Sequence, residues 1–197
     1  MNGDSSVDTK LPYKQRMHKV EINKKEGNEL VKDQNWSQGV ARYNNALQHC
    51  SKFYDLSPEQ MDELKAVKLS LYNNIAMCGN KMEDWKLTKE NCNKALEIDA
   101  ANVKALFRRA TAFEKCKQFE EALADLATAA SNAPEDKNVI KATARVKKLQ
   151  KKQEEKEKKM CGSLHLHSPC CELHRLELLP ACVFAQVRED VWLNTSI

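Results

Sequence analysis

Residues 71–100, LYNNIAMCGNKMEDWKLTKENCNKALEIDA, and residues 106–134, LFRRATAFEKCKQFEEALADLATAASNAP, decide the fold. The two stretches repeat one pattern. Asn74 and Arg108, Ala76 and Ala110, Trp85 and Phe119, and Ala95 and Ala129 each stand 34 residues apart. Each unit reads as two amphipathic helices joined by a short turn. Small residues sit where the paired helices touch, and an aromatic opens the second helix. A unit of this kind cannot bury its own apolar face, so about three must stack to share a core.

Upstream, residues 24–47, KKEGNELVKDQNWSQGVARYNNAL, fit the same template, with Gly27, Trp36, Gly39, Tyr43 and Ala46 in register. Gly27 to Ala76 is 49 residues, 15 more than the period of 34. The surplus lies in residues 48–71, QHCSKFYDLSPEQMDELKAVKLSL, where helical periodicity continues on both sides of Leu56-Ser57-Pro58. Two lengthened helices with a break are expected there, because Ser57 can cap a helix and Pro58 suits its first turn. Downstream, a helix is expected from about Asn138 to Met160. Its apolar residues Val139, Ala142, Val146 and Leu149 form a stripe able to cover the third unit. The remainder, QKKQEEKEKKM, is too polar to pack.

These residues resemble the tetratricopeptide-repeat (TPR) family over roughly residues 20–136. The resemblance implies an all-α fold: a TPR right-handed superhelix of three helix pairs plus a C-terminal capping helix. The first helix of each pair would line a concave groove. The expected organisation is an N-terminal extension (1–19), a three-repeat TPR domain (20–136), a charged capping or extension helix (137–160), and a divergent Cys/His-containing tail (161–197). Three positions depart from the family pattern. Thr88 replaces a usual small Ala, Gly79 a usual aromatic and Ala100 a usual Pro, and the first two are expected to loosen the second repeat.

Five polar residues fall on the helices that would line the groove. Lys24 and Asn28 are i and i+4 on the first helix, and Lys104 and Arg108 are i and i+4 on the fifth, so each pair shares a face. Asn74 lies one period before Arg108, on the helix between them. In the chaperone-binding subset of TPR domains these template positions carry a two-carboxylate clamp. By that resemblance Lys24, Asn28 and Asn74 would hold the terminal Asp of a Glu-Glu-Val-Asp tail, and Lys104 and Arg108 further carboxylate and carbonyl oxygens. The chemistry suits the task, since two carboxylates in one residue demand several donors, and cationic donors make the stronger bonds. Capture of a free C-terminus is a known mode of peptide recognition.

The long insertion, the phrase NIAMC and the run KALEIDAANVKALFRRA most resemble the TPR half of large immunophilins, the prolyl isomerases of FK506-binding or cyclophilin type. The implied partner is the C-terminal peptide of the ninety-kilodalton heat-shock chaperone, with the seventy-kilodalton class also able to bind. The alternative is an accessory, non-catalytic half of a peptidyl-prolyl isomerase. Too few residues precede the first repeat to build an isomerase domain, so no catalytic residue and no enzyme activity are expected.

Composition agrees with a helical chain: 30% charged, 6% aromatic, with 5 Gly and 5 Pro. The net charge is only +4, from 32 basic and 28 acidic residues, so a basic function would need clustering. One cluster exists between Lys137 and Lys159. It could serve calmodulin or a membrane surface, but it lacks bulky apolar anchors, and it has no interleaved aromatics for stacking on nucleic acid. No run approaches the roughly 20 apolar residues of a membrane span, and the N-terminus has no secretory core, so the expected location is cytoplasmic. Cys50, Cys78, Cys92 and Cys116 then read as small buried hydrophobes. Cys161, His165, His167, Cys170, Cys171 and His174 match no zinc-ligand spacing, so no metal is expected. With no phosphate-loop or nucleotide-fold glycine motif, no cofactor is expected either.

Overall fold

The structure, a computed structural model, describes residues 12–163. All regular structure among them is helical: α1 (Tyr13–Lys32), α2 (Trp36–Cys50), α3 (Pro58–Lys81), α4 (Trp85–Ile98), α5 (Val103–Lys115), α6 (Phe119–Asn132) and α7 (Lys137–Ser163). The chain divides into two compact units, Met1–Lys152 and Gln153–Ile197. The first holds the three helix pairs α1–α2, α3–α4 and α5–α6, with α3 also lying beside α5. Of the second, the described part is the last stretch of α7.

Each pair is closed by the same turn, and its chemistry explains why the period survives. The amides of Asn35, Asp84 and Gln118 donate to the carbonyls of Leu30, Gly79 and Phe113, five residues back, at 2.8–2.9 Å. The residues just before them, Gln34, Glu83 and Lys117, adopt positive φ of 62°, 59° and 63°. This is a Schellman ending, which satisfies carbonyls that the helix leaves without partners. The second helix then begins on Trp36, Trp85 or Phe119, the aromatics that the sequence marks. None of the three left-handed positions is a glycine, so each carries strain.

Two apolar clusters form the core. In the first, Val20, Tyr43, Ala46, Cys50, Leu64, Leu71, Ile75 and Cys78 are buried. The second joins Leu106, Ala110, Ala122, Leu126 and Ala129 to Val139, Ala142 and Val146 of α7. Three of the four stripe residues of α7 thus cover the third pair, and Leu149 is half-buried. A bidentate bond from Arg145 to Glu114, at 2.6 and 2.9 Å, ties α7 to α5 as well.

The insertion differs from its sequence reading. α2 has 15 residues and stops at Cys50, so it is not lengthened; α3, with 24, is. Ser57 builds a full capping box: its hydroxyl accepts from the Gln60 amide, and the Gln60 side chain accepts from the Ser57 amide. The connection 51–57 is held by α1. That helix begins at Tyr13, inside the expected extension. The Tyr13 ring packs 5.2 Å from Phe53, the Arg16 guanidinium lies 5.6 Å from the Phe53 centroid, and the Tyr13 hydroxyl donates to Glu63 at 2.5 Å. The first turns of α1 therefore pin the inserted connection at Phe53 and are themselves tied to α3 at Glu63.

Gly79 and Thr88 of the second repeat pack against each other. Thr88 is fully buried, and its hydroxyl meets the carbonyls of Asp84 at 3.0 Å and Ala76 at 3.4 Å. A Cβ on Gly79 would come within 2.5 Å of that hydroxyl. Loss of a side chain on α3 makes room for a larger one on α4, so the two departures fit each other.

Cys50, Cys78 and Cys92 are buried free thiols, and Cys116 is half-buried. No described helix is long and apolar enough to cross a membrane. The Cys/His-rich stretch and the rest of the expected tail, from residue 164 on, lie outside the described residues.

Candidate peptide-binding groove

The first residue of the site is explained by its neighbour. Gly27 is buried where α1 meets α2, and a Cβ there would stand 2.6 Å from Cε1 of Tyr43. The missing side chain lets the Tyr43 ring lie flat against α1. Its hydroxyl then reaches the next residue, donating to Asn28 Oδ1 at 2.8 Å. From the other side, Asn74 Nδ2 on α3 donates to the same oxygen at 3.3 Å. Both acceptor directions of the Asn28 carbonyl are thereby used, and what remains to a ligand is its N–H₂ donor end. Burial pushes the Tyr43 phenol up to about 12, with the Cys78 thiol adding to the rise and a bond to Asn74 opposing it. Tyr43 therefore stays a donor, and the orientation of Asn28 holds across the physiological range.

Lys24 sits one turn before Asn28, half-buried, and makes no ion pair or hydrogen bond among the described residues. Lys24 and Asn28 also line an open groove of about 1080 Å³ that runs between α1 and the first turns of α3. Met17, Val20 and Val67 give this groove apolar walls, with Lys14, His18 and Lys25 at its edges.

Arg108 and Lys104 occupy α5. Arg108 is half-buried, and its Nη1 donates to Oδ1 of Asn73 at 3.1 Å. Asn73, next to Asn74 in sequence, is buried and donates onward to Asn102 Oδ1 at 3.3 Å. Asn80 adds a second tie from α3, donating to the Arg108 carbonyl at 3.3 Å. Lys104 is exposed, one turn before Arg108, with no bonded contact to the other four residues. Direct bonding thus joins Asn28 to Asn74. Arg108 is linked through Asn73, while the two lysines share helix faces with their i+4 partners.

The electrostatics separate Arg108 from its neighbour. Arg109 grips the Asp125 carboxylate with two bonds at 2.6 and 2.8 Å and also reaches Asn93 at 2.7 Å. That carboxylate raises its pKa. Among the described residues Arg108 has no carboxylate partner, and burial lowers its pKa, partly offset by the thiols of Cys92 and Cys78. Arg109 is a neutralised structural arginine. Arg108 carries an uncompensated charge in a partly desolvated place, which an arriving anion would stabilise.

Sequence reading missed Tyr43 as the residue that orients Asn28, and Asn73 as the one that holds Arg108. Tyr43 is visible as a template aromatic, yet only the contact with Gly27 shows where its hydroxyl goes. The period that singles out Asn74 passes over Asn73, and no motif marks Asn73 as the partner of Arg108.

No family model matches the chain. Among curated proteins it is 30% identical over 154 residues to the peptidyl-prolyl cis-trans isomerase FKBP4 of Bos taurus, covering 78% of this chain and 34% of that protein. The chain spans about a third of the length of the curated relatives it matches. Among solved structures it is similar to the C-terminal TPR-containing domain of a Plasmodium falciparum FK506-binding protein, with a TM-score of 0.69, 25% identity, and 76% of this chain and 99% of that one covered. It is also similar to the myosin chaperone UNC-45 of C. elegans in complex with an Hsp90 peptide, with a TM-score of 0.57 and 36% identity over 67% of this chain and 14% of that one.

Proposed function

We propose that this chain, a TPR domain similar to the C-terminal TPR half of the large immunophilins, captures the C-terminal Glu-Glu-Val-Asp tail of a heat-shock chaperone in a two-carboxylate clamp. Lys24, Asn28 and Asn74 take the terminal Asp, which offers a side-chain and a main-chain carboxylate. Lys104 and Arg108 take further carboxylate and carbonyl oxygens. The observation that carries the reading is the pairing of Asn28 with Asn74, one helical turn from a lysine that forms no ion pair among the described residues. Donors are gathered from two helices, Tyr43 orients Asn28, and no carboxylate among the described residues pairs with Lys24. The chaperone partner is supported by the likeness to UNC-45, which is described with an Hsp90 peptide bound. We assign the ninety-kilodalton class as the preferred partner and the cytoplasm as the place of the encounter.

Binding of an extended tail loses ordering entropy, so the affinity is expected to be on the order of micromolar, near about −8 kcal/mol. Calorimetry with a Glu-Glu-Val-Asp peptide tests this. Lys24→Glu and Arg108→Ala should each weaken binding tenfold or more while the chain stays folded; undiminished binding by either variant contradicts the clamp.

A second reading makes the chain the non-catalytic half of a prolyl isomerase, supported by its coverage of about a third of such relatives. In both readings the described helices dock rather than catalyse. An isomerase assay on this chain should therefore give no turnover, and measurable turnover would contradict that assignment.

A further inference from the structure

The two adjacent arginines of α5 are held by opposite means, and the difference gives Asn73 a role. Arg109 is fixed by a carboxylate, with two bonds to Asp125 at 2.6 and 2.8 Å. Arg108 is fixed by an amide, with one bond to Asn73 Oδ1 at 3.1 Å. The orientation of that amide follows from the chemistry of its neighbours. A guanidinium has only donors, so the atom facing Arg108 must be the oxygen. The nitrogen then faces Asn102 Oδ1 at 3.3 Å, and this oxygen already accepts the Ala105 amide at 3.1 Å as the cap of α5. Asn102 Nδ2 in turn donates to Asp99 at 3.1 Å. A part-buried chain of hydrogen bonds thus runs from the arginine, through α3, to the turn that starts the arginine's own helix.

We propose that Asn73 is a positioning residue of the peptide clamp, holding the Arg108 guanidinium through a neutral amide so that its full charge remains for an acidic residue of the bound tail. The proposal rests on the clamp reading above. An apolar residue at this position would leave a half-buried guanidinium without its partner. An acidic one would hold it but cancel its charge, as Asp125 does for Arg109. A serine would be too short to bridge to Asn102. Asparagine meets both needs: it accepts from the cation on one side and donates to the helix cap on the other.

The test combines side-chain NMR of the Arg108 Nε–H group with calorimetry of a Glu-Glu-Val-Asp peptide. In Asn73→Leu the Arg108 order parameter should fall and peptide affinity should drop about tenfold. In an Arg108→Ala background the same Leu substitution should cost no further affinity, which a merely structural role would not reproduce. In Asn73→Asp the arginine should stay ordered while affinity falls at least as far and its salt dependence weakens. Unchanged Arg108 order in Asn73→Leu overturns the proposal, as does wild-type affinity in Asn73→Asp. An equal affinity loss in the Arg108→Ala background overturns it too. Failure of the wild-type chain to bind the peptide overturns the clamp reading and, with it, the functional part of this proposal. The NMR result still decides whether Asn73 holds Arg108.

Discussion

At the scale of single residues, the site depends on what each donor is prevented from doing. Asn28 is held by Tyr43 at 2.8 Å and Asn74 at 3.3 Å, so its carbonyl is occupied and its N–H groups are what it has left to offer. Lys24 has no bonded partner among the described residues, so removing its charge should leave the fold intact. Lys24→Glu is expected to lower peptide affinity tenfold or more with an unchanged melting midpoint, read by calorimetry beside a thermal scan. Gly27 should behave differently. A methyl group there would sit 2.6 Å from the Tyr43 ring, and overpacking of this kind costs about 1–3 kcal/mol. Gly27→Ala should therefore lose stability and peptide affinity together, because the ring that moves also carries the hydroxyl on Asn28. The residue types and the i, i+4 spacing of the lysine–asparagine and lysine–arginine pairs were legible in the sequence, since helical geometry alone puts each pair on one face. Tyr43 and Asn73 were not. Their roles depend on distances between helices, which no one-dimensional period encodes.

At the scale of elements, the repeats show how departures from a template can agree with one another. Gly79 and Thr88 looked like two weak points, yet a Cβ on Gly79 would stand 2.5 Å from the Thr88 hydroxyl. Gly79→Ala alone should destabilise by about 1–3 kcal/mol. Combined with Thr88→Ala it should cost clearly less than the sum of the single losses, a coupling that chemical denaturation of the four variants would measure. Additive losses would mean the two positions are independent. The turns offer a second case. Lys117 holds a left-handed φ of 63° with an exposed side chain, so its strain has no visible compensation. Lys117→Gly is expected to raise stability by about 1 kcal/mol, less the entropy that glycine adds to the unfolded chain. The aromatics that open α2, α4 and α6 were legible because they recur in register. The shorter α2 was not, since periodicity in residues 48–56 does not reveal that Phe53 is pinned by Tyr13 and Arg16 from α1.

At the scale of the whole molecule, three free thiols lie buried within the repeats. Burial pushes the Cys50 and Cys78 thiols up to about 11 and that of Cys92 up to about 12, from an ordinary 9.0. The folded chain keeps these protons where the unfolded chain releases them. Their contribution to stability is therefore whole below pH 9 and is lost as the pH climbs through 11 to 12. Thermal midpoints between pH 7 and 11 should be flat at first and then fall, and a midpoint that stays level through pH 11 would contradict the burial of these thiols. The all-α repeat architecture was legible because its signal is spread over more than a hundred residues and tolerates local exceptions. The proposed partner recognition has no such redundancy, as it draws on five side chains. Their shared purpose is best tested by titrating the chain with one peptide in two forms, a Glu-Glu-Val-Asp tail with a free C-terminus and the same tail amidated. The clamp predicts on the order of micromolar binding for the first and at least a tenfold loss for the second, because one of the two carboxylates is gone. Equal affinity for both would contradict it.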